Sequence, residues 1–447
     1  MGQTVHPSSV EPLAILGGRP AFPHQLHVGR PNIGDRARFH QRIDEVLDRC
    51  WLTNNGPVVL ELEATLADLL EVDHCVAVAN ATLGLQIAAS DLEAGSEVIV
   101  PAFTFVATAH ALRWIGLRPV FCDVDPKTHN LDPARVAELV TPRTRAILGV
   151  HVWGRPCDVT ALSVVAEEHG LALLYDAAHA FGCAADGRPI GGFGRAEVFS
   201  FHATKFVNAF EGGAVTTDDA DLAARLRLTR NFGFAGVDQV VEVGTNAKMS
   251  EVSAAMALTS LESLPRFVAT NRANHEAYQH HLAGSPGIRV VEYQEADRPN
   301  YQYVIVEVDE VEAGLSRDDL VVTLGAENVL ARRYFFPGCH RMEPYASEEP
   351  MAAQRLPVTE HLTERLLALP TGTAMTTDDV ALVCRVIERA IDDAPRIRAA
   401  RRPPIGELLA PQLPGSPGTT GSAGTAGGPG AADAANAANA AGAASAG

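Results

Sequence analysis

The sequence has no apolar run approaching the roughly 18 residues that a bilayer-crossing helix needs, so no membrane span is expected. Its opening residues, MGQTVHPSSVEPLAILGGRPAFP, lack the basic-then-apolar layout of a secretory signal, and a cytoplasmic location is expected. Positive charge is also scarce: 36 Lys and Arg face 54 Asp and Glu, a net charge of −18. Phosphate backbones are held by clustered cations, so nucleic acid is not an expected partner, while a local basic pocket for an anionic small molecule stays open. The seven cysteines, at positions 50, 75, 122, 157, 183, 339 and 384, form no CxxC pair. Scattered and mostly in apolar contexts, they read as buried thiols of a reducing compartment.

What is present is a chain of 447 residues, 47 % hydrophobic and 20 % charged, the balance of a soluble globular protein. From about residue 74 short β-branched runs alternate with helical stretches: HCVAVAN, SEVIVPA, RPVFCDVD, TRAILGVHVW, LALLYDAA, AEVFSFHA and GGAVTTDD. Strand-sized runs separated by helix-sized segments predict an α/β fold with a largely parallel sheet. The pieces between them agree. DPARVAELV starts on an aspartate at a helix N-cap, and DVTALSVVAEEHG ends on a glycine placed to close a helix.

After about residue 250 the pattern changes to a helix, a break at Pro265, a second long helix, the strand-like GIRVVEY and YQYVIVEVD, and helices near DDLVVTLGAE and TTDDVALVCRVIERAIDD. The expected division is an N-terminal segment with the large domain over 1–265, a smaller C-terminal α+β domain over 266–400, and a linker and tail over 401–447. The Gly/Ala-rich tail carries a single charge beyond Pro411, Asp433, and is expected to be disordered.

The segment FSFHATKFVNAFEGGAV puts Lys205 after an apolar run and before a Glu-Gly-Gly turn. A lysine there is either on a solvated turn or engaged in chemistry, because an unpaired buried cation loses its hydration. LLYDAAHAFG places Asp176 and His179 just after a buried strand. Asp176 can be an ordinary helix cap; two candidate ligands with no further His or Cys at ligand spacing make no metal site. Asp176 precedes Lys205 by 29 residues, about one strand-helix-strand step. An acid and a lysine so placed suit pyridoxal phosphate (PLP): the amine joins the cofactor aldehyde and the carboxylate keeps the ring nitrogen protonated. The phosphate needs hydroxyls and free backbone N–H groups, which Thr82, Leu83 and Ser200 can supply. Phe103 and Phe105 offer an aromatic lid.

These residues resemble the DegT and StrS type of sugar-nucleotide aminotransferases, within the fold-type I PLP enzymes. The likeness runs from GGRPAFP near residue 17 to about residue 394, through WLTNNGPVVLELE, EVIVPAFTFVATAHAL, VFCDVDPKTHNLDP, TPRTRAILGVHVWGRPCD, YDAAHAFG, FSFHATKFVNAFEGGAV and NAKMSEVSAAMAL. It implies a large domain with a mainly parallel seven-stranded sheet. Lys205 resembles the Schiff-base lysine that also moves the proton, Asp176 the pyridinium partner, and His179 the contact to the phenolic oxygen. Phe105 matches the stacking aromatic, and Thr82, Leu83 and Ser200 the phosphate cup. Asn246 matches an asparagine reaching that cup from the other subunit, which implies a homodimer or higher assembly with shared active sites. Two departures stand out: the common Ser-Gly-Thr of the phosphate loop is Asn80-Ala81-Thr82, and an arginine common after the crossing asparagine is Lys248.

The resemblance further implies ping-pong transamination with L-glutamate as donor. The NATLGL loop and FHATKxxxxFEGG look most like the subgroup that converts dTDP-4-keto-6-deoxyglucose to dTDP-4-amino-4,6-dideoxyglucose in deoxysugar pathways. Arg230, Lys248, Arg333, Tyr334 and His340 are candidates for the sugar-diphosphate pocket. The alternatives are amination at C3, a sugar dehydratase, against which Lys205 argues because such members carry histidine there, and a non-catalytic regulatory protein on this fold.

Overall fold

A computed structural model describes residues 12–400; the tail expected over 401–447 lies outside the described residues. The seven β-branched runs form strands β1 (His74–Val78), β2 (Glu97–Pro101), β3 (Arg118–Cys122), β4 (Thr144–Val150), β5 (Ala172–Asp176), β6 (Ala196–Ser200) and β7 (Gly213–Thr217). They make one sheet in the order β1-β7-β6-β5-β4-β2-β3. Strands β6, β5, β4, β2 and β3 pair in parallel, while β7 runs antiparallel to both β1 and β6. The reason lies in the connections. A parallel return needs a long crossover, and helices such as Pro133–Leu139 and Val159–His169 supply it. Between Ser200 and Gly213 there is only the Lys205 loop, so the chain turns back beside the strand it left.

The helix ends are chemically fixed. Asp132 caps Pro133–Leu139 by accepting the Ala134 N–H at 3.0 Å, and Gly170 closes Val159–His169 in the left-handed region at φ 63°. Helices cover both faces of the sheet. Ile99 packs on one side with Leu62, Leu66 and Phe199, while its neighbours Val98 and Val100 pack on the other with Val76 and Leu148. That two-sided burial is why the strands read as continuous apolar runs.

A second, antiparallel sheet joins Ile288–Val290, Val304–Val308 and Leu366–Leu369. With the helices Leu264–Leu282, Arg317–Ala326 and Thr377–Asp392 it encloses its own apolar cluster, including Tyr278, Val306, Leu320, Leu367 and Ile387. We propose a boundary near 265, where the helix Glu251–Glu262 gives way to Leu264–Leu282 and Pro265 sits in the first turn, a place where its missing N–H breaks no helical hydrogen bond.

Two sequence expectations are corrected here. The start of the chain does not belong wholly with the large sheet: Leu13 and Phe22 sit in the apolar cluster of the second sheet, and Leu26–His27 pairs in parallel with Val329–Leu330. The buried Glu327 draws it there, accepting the Ala14 and Ala21 N–H groups at 2.6 Å each. Of the cysteines, six are buried, but Cys50 is exposed at the end of its helix with φ 53°.

Candidate active site

The carboxyl ends of β1, β5 and β6 and the start of β7 lie on one edge of the large sheet, and the chemistry collects there. Asp176 ends β5 and is buried. Its Oδ2 accepts the Thr108 hydroxyl at 2.8 Å and its Oδ1 the Ala178 N–H at 3.1 Å. Burial raises its pKa, opposed by the Ala178 N–H, the Thr108 hydroxyl and the charges of Lys205 and His151. A carboxyl so buried gains from a cation placed beside it, which offsets the loss of hydration of its charged form.

Lys205 stands in the turn after β6. The residue is partly buried, and the surrounding protein strips enough hydration from its amine to bring the pKa from 10.5 down to about 8, against the opposing pull of Asp176. Nζ donates to the Tyr303 hydroxyl at 3.4 Å. The opening alternative, a merely solvated cation, therefore does not describe this lysine.

His179 is buried, and its Nδ1 accepts the Trp153 N–H at 3.3 Å. Burial, and then the charge of Lys205, push its pKa well below the ordinary 6.5, so the ring is neutral. With Nδ1 accepting, the ring proton belongs on Nε2, which is thereby a donor. Trp153 makes this contact from a left-handed backbone at φ 64°, and its ring lies near-parallel to those of His179 at 5.9 Å and Phe335 at 5.0 Å, which are themselves 6.0 Å apart.

The helix Ala81–Ala88 begins where β1 ends. Asn80 caps it, accepting the Leu83 N–H at 2.9 Å. This corrects the expectation for Leu83, whose N–H is already engaged. The N–H groups of Ala81 and Thr82 have no place in the helical ladder, and the Ala81 nitrogen lies beside Gly213 at the start of β7. Ala81 is the first helical residue and is not among the left-handed ones, so its replacement of a glycine strains nothing. Gly213 closes this cradle. It pairs with Ser200, and a Cβ there would stand 2.8 Å from the Ala81 nitrogen and 2.7 Å from the Phe199 oxygen. Gly213→Ala is expected to push the helix start away from Ser200 and weaken PLP retention at least about tenfold, equivalent to about 1.4 kcal/mol, as read by fluorescence titration of the stripped protein.

The other candidates separate into two groups. Phe105 is 60 % exposed and free to cover a ligand, whereas Phe103 is fully buried against Phe335 and Trp153 and is no lid. Tyr334 lies in the aromatic stack beside Trp153 and 6.1 Å from Tyr303. Asn246 and Lys248 lie on the segment that runs beside Val78 and Ala79, with Asn246 exposed and the Lys248 amine over the Phe232 ring at 4.5 Å. Arg230 is corrected: it is buried, bonding Glu63 at 2.5 Å, the Ala77 carbonyl and Asn55. His340 is likewise buried, with Nε2 on Glu360 at 2.5 Å, and Arg333 pairs with Asp318 at 3.1 Å while stacking on Phe336. Each of these three thus has an acidic partner within the protein, although His340 Nδ1 has none and Arg230 lines a cavity with Lys248.

Asn208 is also structural, holding the Asn32 carbonyl at 2.7 Å, and the His202 ring is set by Thr204 at 2.9 Å. Sequence reasoning missed Tyr303, Trp153 and Thr108. Tyr303 lies in a run that reads only as a strand. Among the described residues no three His, Cys, Asp or Glu side chains gather as a metal site, and no helix is long and apolar enough to cross a membrane.

A dry carboxylate, a lysine of lowered pKa, a fixed imidazole donor and an N–H cradle on the carboxyl edge of a mainly parallel sheet define a fold-type I aminotransferase. The chain belongs to the DegT/DnrJ/EryC1/StrS aminotransferase family, which matches residues 34–388, and it depends on pyridoxal phosphate. The residues fit that cofactor, the glycine-lined cradle above all. The chain is 33 % identical to the Escherichia coli dTDP-4-amino-4,6-dideoxy-D-glucose transaminase over 365 residues, 81 % of this chain and 98 % of that one. Among solved structures it resembles DesI, determined in the presence of its TDP-sugar product, with 54 % identity, a TM-score of 0.82, and coverage of 87 % of this chain and 98 % of that one. It also resembles S. venezuelae DesV at 33 % identity and a TM-score of 0.74, covering 80 % of this chain and 95 % of that one.

Proposed function

We propose that this chain transfers the amino group of L-glutamate to C4 of dTDP-4-keto-6-deoxyglucose, giving dTDP-4-amino-4,6-dideoxyglucose and 2-oxoglutarate. The observation that carries the reading is the Lys205 amine held beside Asp176 and His179 in one dry cleft. The sugar is supported by the name of the Escherichia coli relative and by the TDP-sugar product of DesI.

When bound, PLP supplies an electron sink for the charge left at a carbon that gives up its proton. The rest falls to the protein. Asp176 would hold the ring nitrogen as a cation, and the Nε2 proton of His179 would meet the ring oxygen. Ser200 with the Ala81 and Thr82 N–H groups would take the phosphate, and Phe105 would cover the ring. Lys205 Nζ takes the proton from carbon and returns it, which requires the neutral amine. Because burial lowers the pKa of the free amine, the glutamate half-reaction is expected to quicken as pH rises through the neutral to mildly alkaline range and then to level off. Stopped-flow absorbance against pH checks this; a rate that falls through that range contradicts it.

The assembly is read as a homodimer with shared sites. The hairpin of Phe234–Gly236 and Gln239–Val240 leaves Val237 94 % and Val243 93 % exposed, apolar surface that a second copy would cover. Asn246 and Lys248 follow on the same segment and would reach the partner's phosphate and sugar-diphosphate sites, while Tyr334 lines the sugar side within its own subunit. A cytoplasmic setting fits the free thiols.

Incubation with glutamate and either the 4-keto or the 3-keto sugar nucleotide, with product NMR, tests the position of amination. Nitrogen at C4 is expected. A product formed only from the 3-keto sugar would overturn the C4 assignment.

A further inference from the structure

Among the buried polar groups that the mechanism above does not use, the Tyr303 hydroxyl is the one that touches Lys205. Tyr303 lies just ahead of the strand Val304–Val308 in the second sheet, 98 residues from Lys205 in sequence, yet its oxygen is 3.4 Å from Nζ. Its ring packs on His179 at 4.6 Å and on Trp153 at 5.4 Å, and the residue is 6 % exposed.

The segment that carries it is fastened on both sides of the cleft. Asn300 donates to the His179 and Phe181 carbonyls at 2.9 and 3.1 Å, and its Oδ1 accepts the Gln302 N–H at 2.9 Å. Gln302 Oε1 in turn accepts the Phe206 N–H, next to Lys205, at 3.2 Å. The position of the hydroxyl is thus fixed relative to both the His179 turn and the lysine turn. Burial raises the phenol pKa well above 10, so the group stays an uncharged hydroxyl.

We propose that Tyr303 is a positioning residue that holds the free Lys205 amine in line between its two proton transfers. A released lysine has four rotatable bonds, and a base that wanders loses rate steeply, about 10²-fold for a 1 Å misplacement. An N–H donated to the Tyr303 oxygen fixes Nζ and leaves the nitrogen lone pair free for the proton arriving from carbon. The proton that Nζ accepts is the one it later returns, so no other acid or base is consumed. Among the described groups whose charges act on or with Lys205, Asp176 attracts the ammonium, and His179 and His202 sit close enough to feel it. Of the described residues, Tyr303 is the one that bonds the nitrogen.

The inference rests on Lys205 being the base, and the test separates the two. Tyr303→Phe keeps the packing and removes only the oxygen. In the holoenzyme, kcat for the glutamate half-reaction is expected to fall about 10- to 100-fold with KM within about twofold. The isotope effect with α-deuterated glutamate is expected to rise as proton transfer becomes the slowest step. In the cofactor-free chain, competitive labelling with acetic anhydride is expected to show a Lys205 midpoint near 8 in the wild type and at lower pH in the variant, since an acceptor for the ammonium is gone. An isotope effect or a midpoint that stays at the wild-type value overturns the role of Tyr303, whatever happens to stability. A half-reaction that survives in Lys205→Ala overturns the base itself, and the role of Tyr303 with it.

Discussion

Lys205→Ala is expected to lower turnover by at least about 10⁴-fold while leaving a folded, PLP-binding chain, because the variant loses both the covalent attachment and the proton carrier in one side chain. The geometry explains why nothing nearby substitutes for it. His179 is neutral, with Nδ1 engaged by Trp153, and its pKa is pushed well below the working range. Asp176 is held by Thr108 and Ala178, and Tyr303 stays protonated. None of these three described groups is therefore a base ready to act at the same point. Stability should be unchanged or improved, since burying the amine already costs the folded state the difference between 10.5 and about 8 in pKa. Turnover within tenfold of wild type would mean that another group carries the proton.

The second large effect is structural. Arg230→Ala is expected to destabilise the fold by about 3–5 kcal/mol, because it leaves Glu63 buried and uncompensated. Glu63 reaches from the helix Pro57–Leu70 to the Ala77 N–H at 2.8 Å, and Arg230 adds the Glu63 contact, the Ala77 carbonyl at 2.7 Å and Asn55 at 2.7 Å. The pair therefore ties β1, the helix before it and the loop WLTNNG to the end of the helix Ala220–Thr229. Replacing both partners, as Glu63→Gln with Arg230→Met, should recover much of the loss. Urea unfolding of the two variants decides the matter. A diphosphate-binding arginine would instead raise KM and leave the unfolding midpoint in place.

These two residues mark what the sequence makes legible and what it does not. Lys205, Asp176 and His179 stand in short contiguous motifs at the ends of strands, and the seven strands announce themselves because both faces of the sheet are buried. The glycine of EGG is readable too, and the structure adds why: Gly213 leaves room for the Ala81 nitrogen. Arg230 and His340 look in sequence like free cations, since their partners Glu63 and Glu360 are set by folding rather than by any periodic pattern. The same holds for the docking of residues 13–27 through Glu327. Tyr303 is the clearest case, a strand residue whose hydroxyl meets Lys205 only because Asn300 and Gln302 staple its segment across the cleft.

The central claim is that this chain moves an amino group from glutamate to a keto-sugar nucleotide. Mass spectrometry of the purified protein with PLP, ¹⁵N-labelled glutamate and dTDP-4-keto-6-deoxyglucose tests it most directly. A ¹⁵N-labelled dTDP-amino sugar together with an equal amount of 2-oxoglutarate is the expected result. Unchanged sugar nucleotide with no 2-oxoglutarate would contradict it.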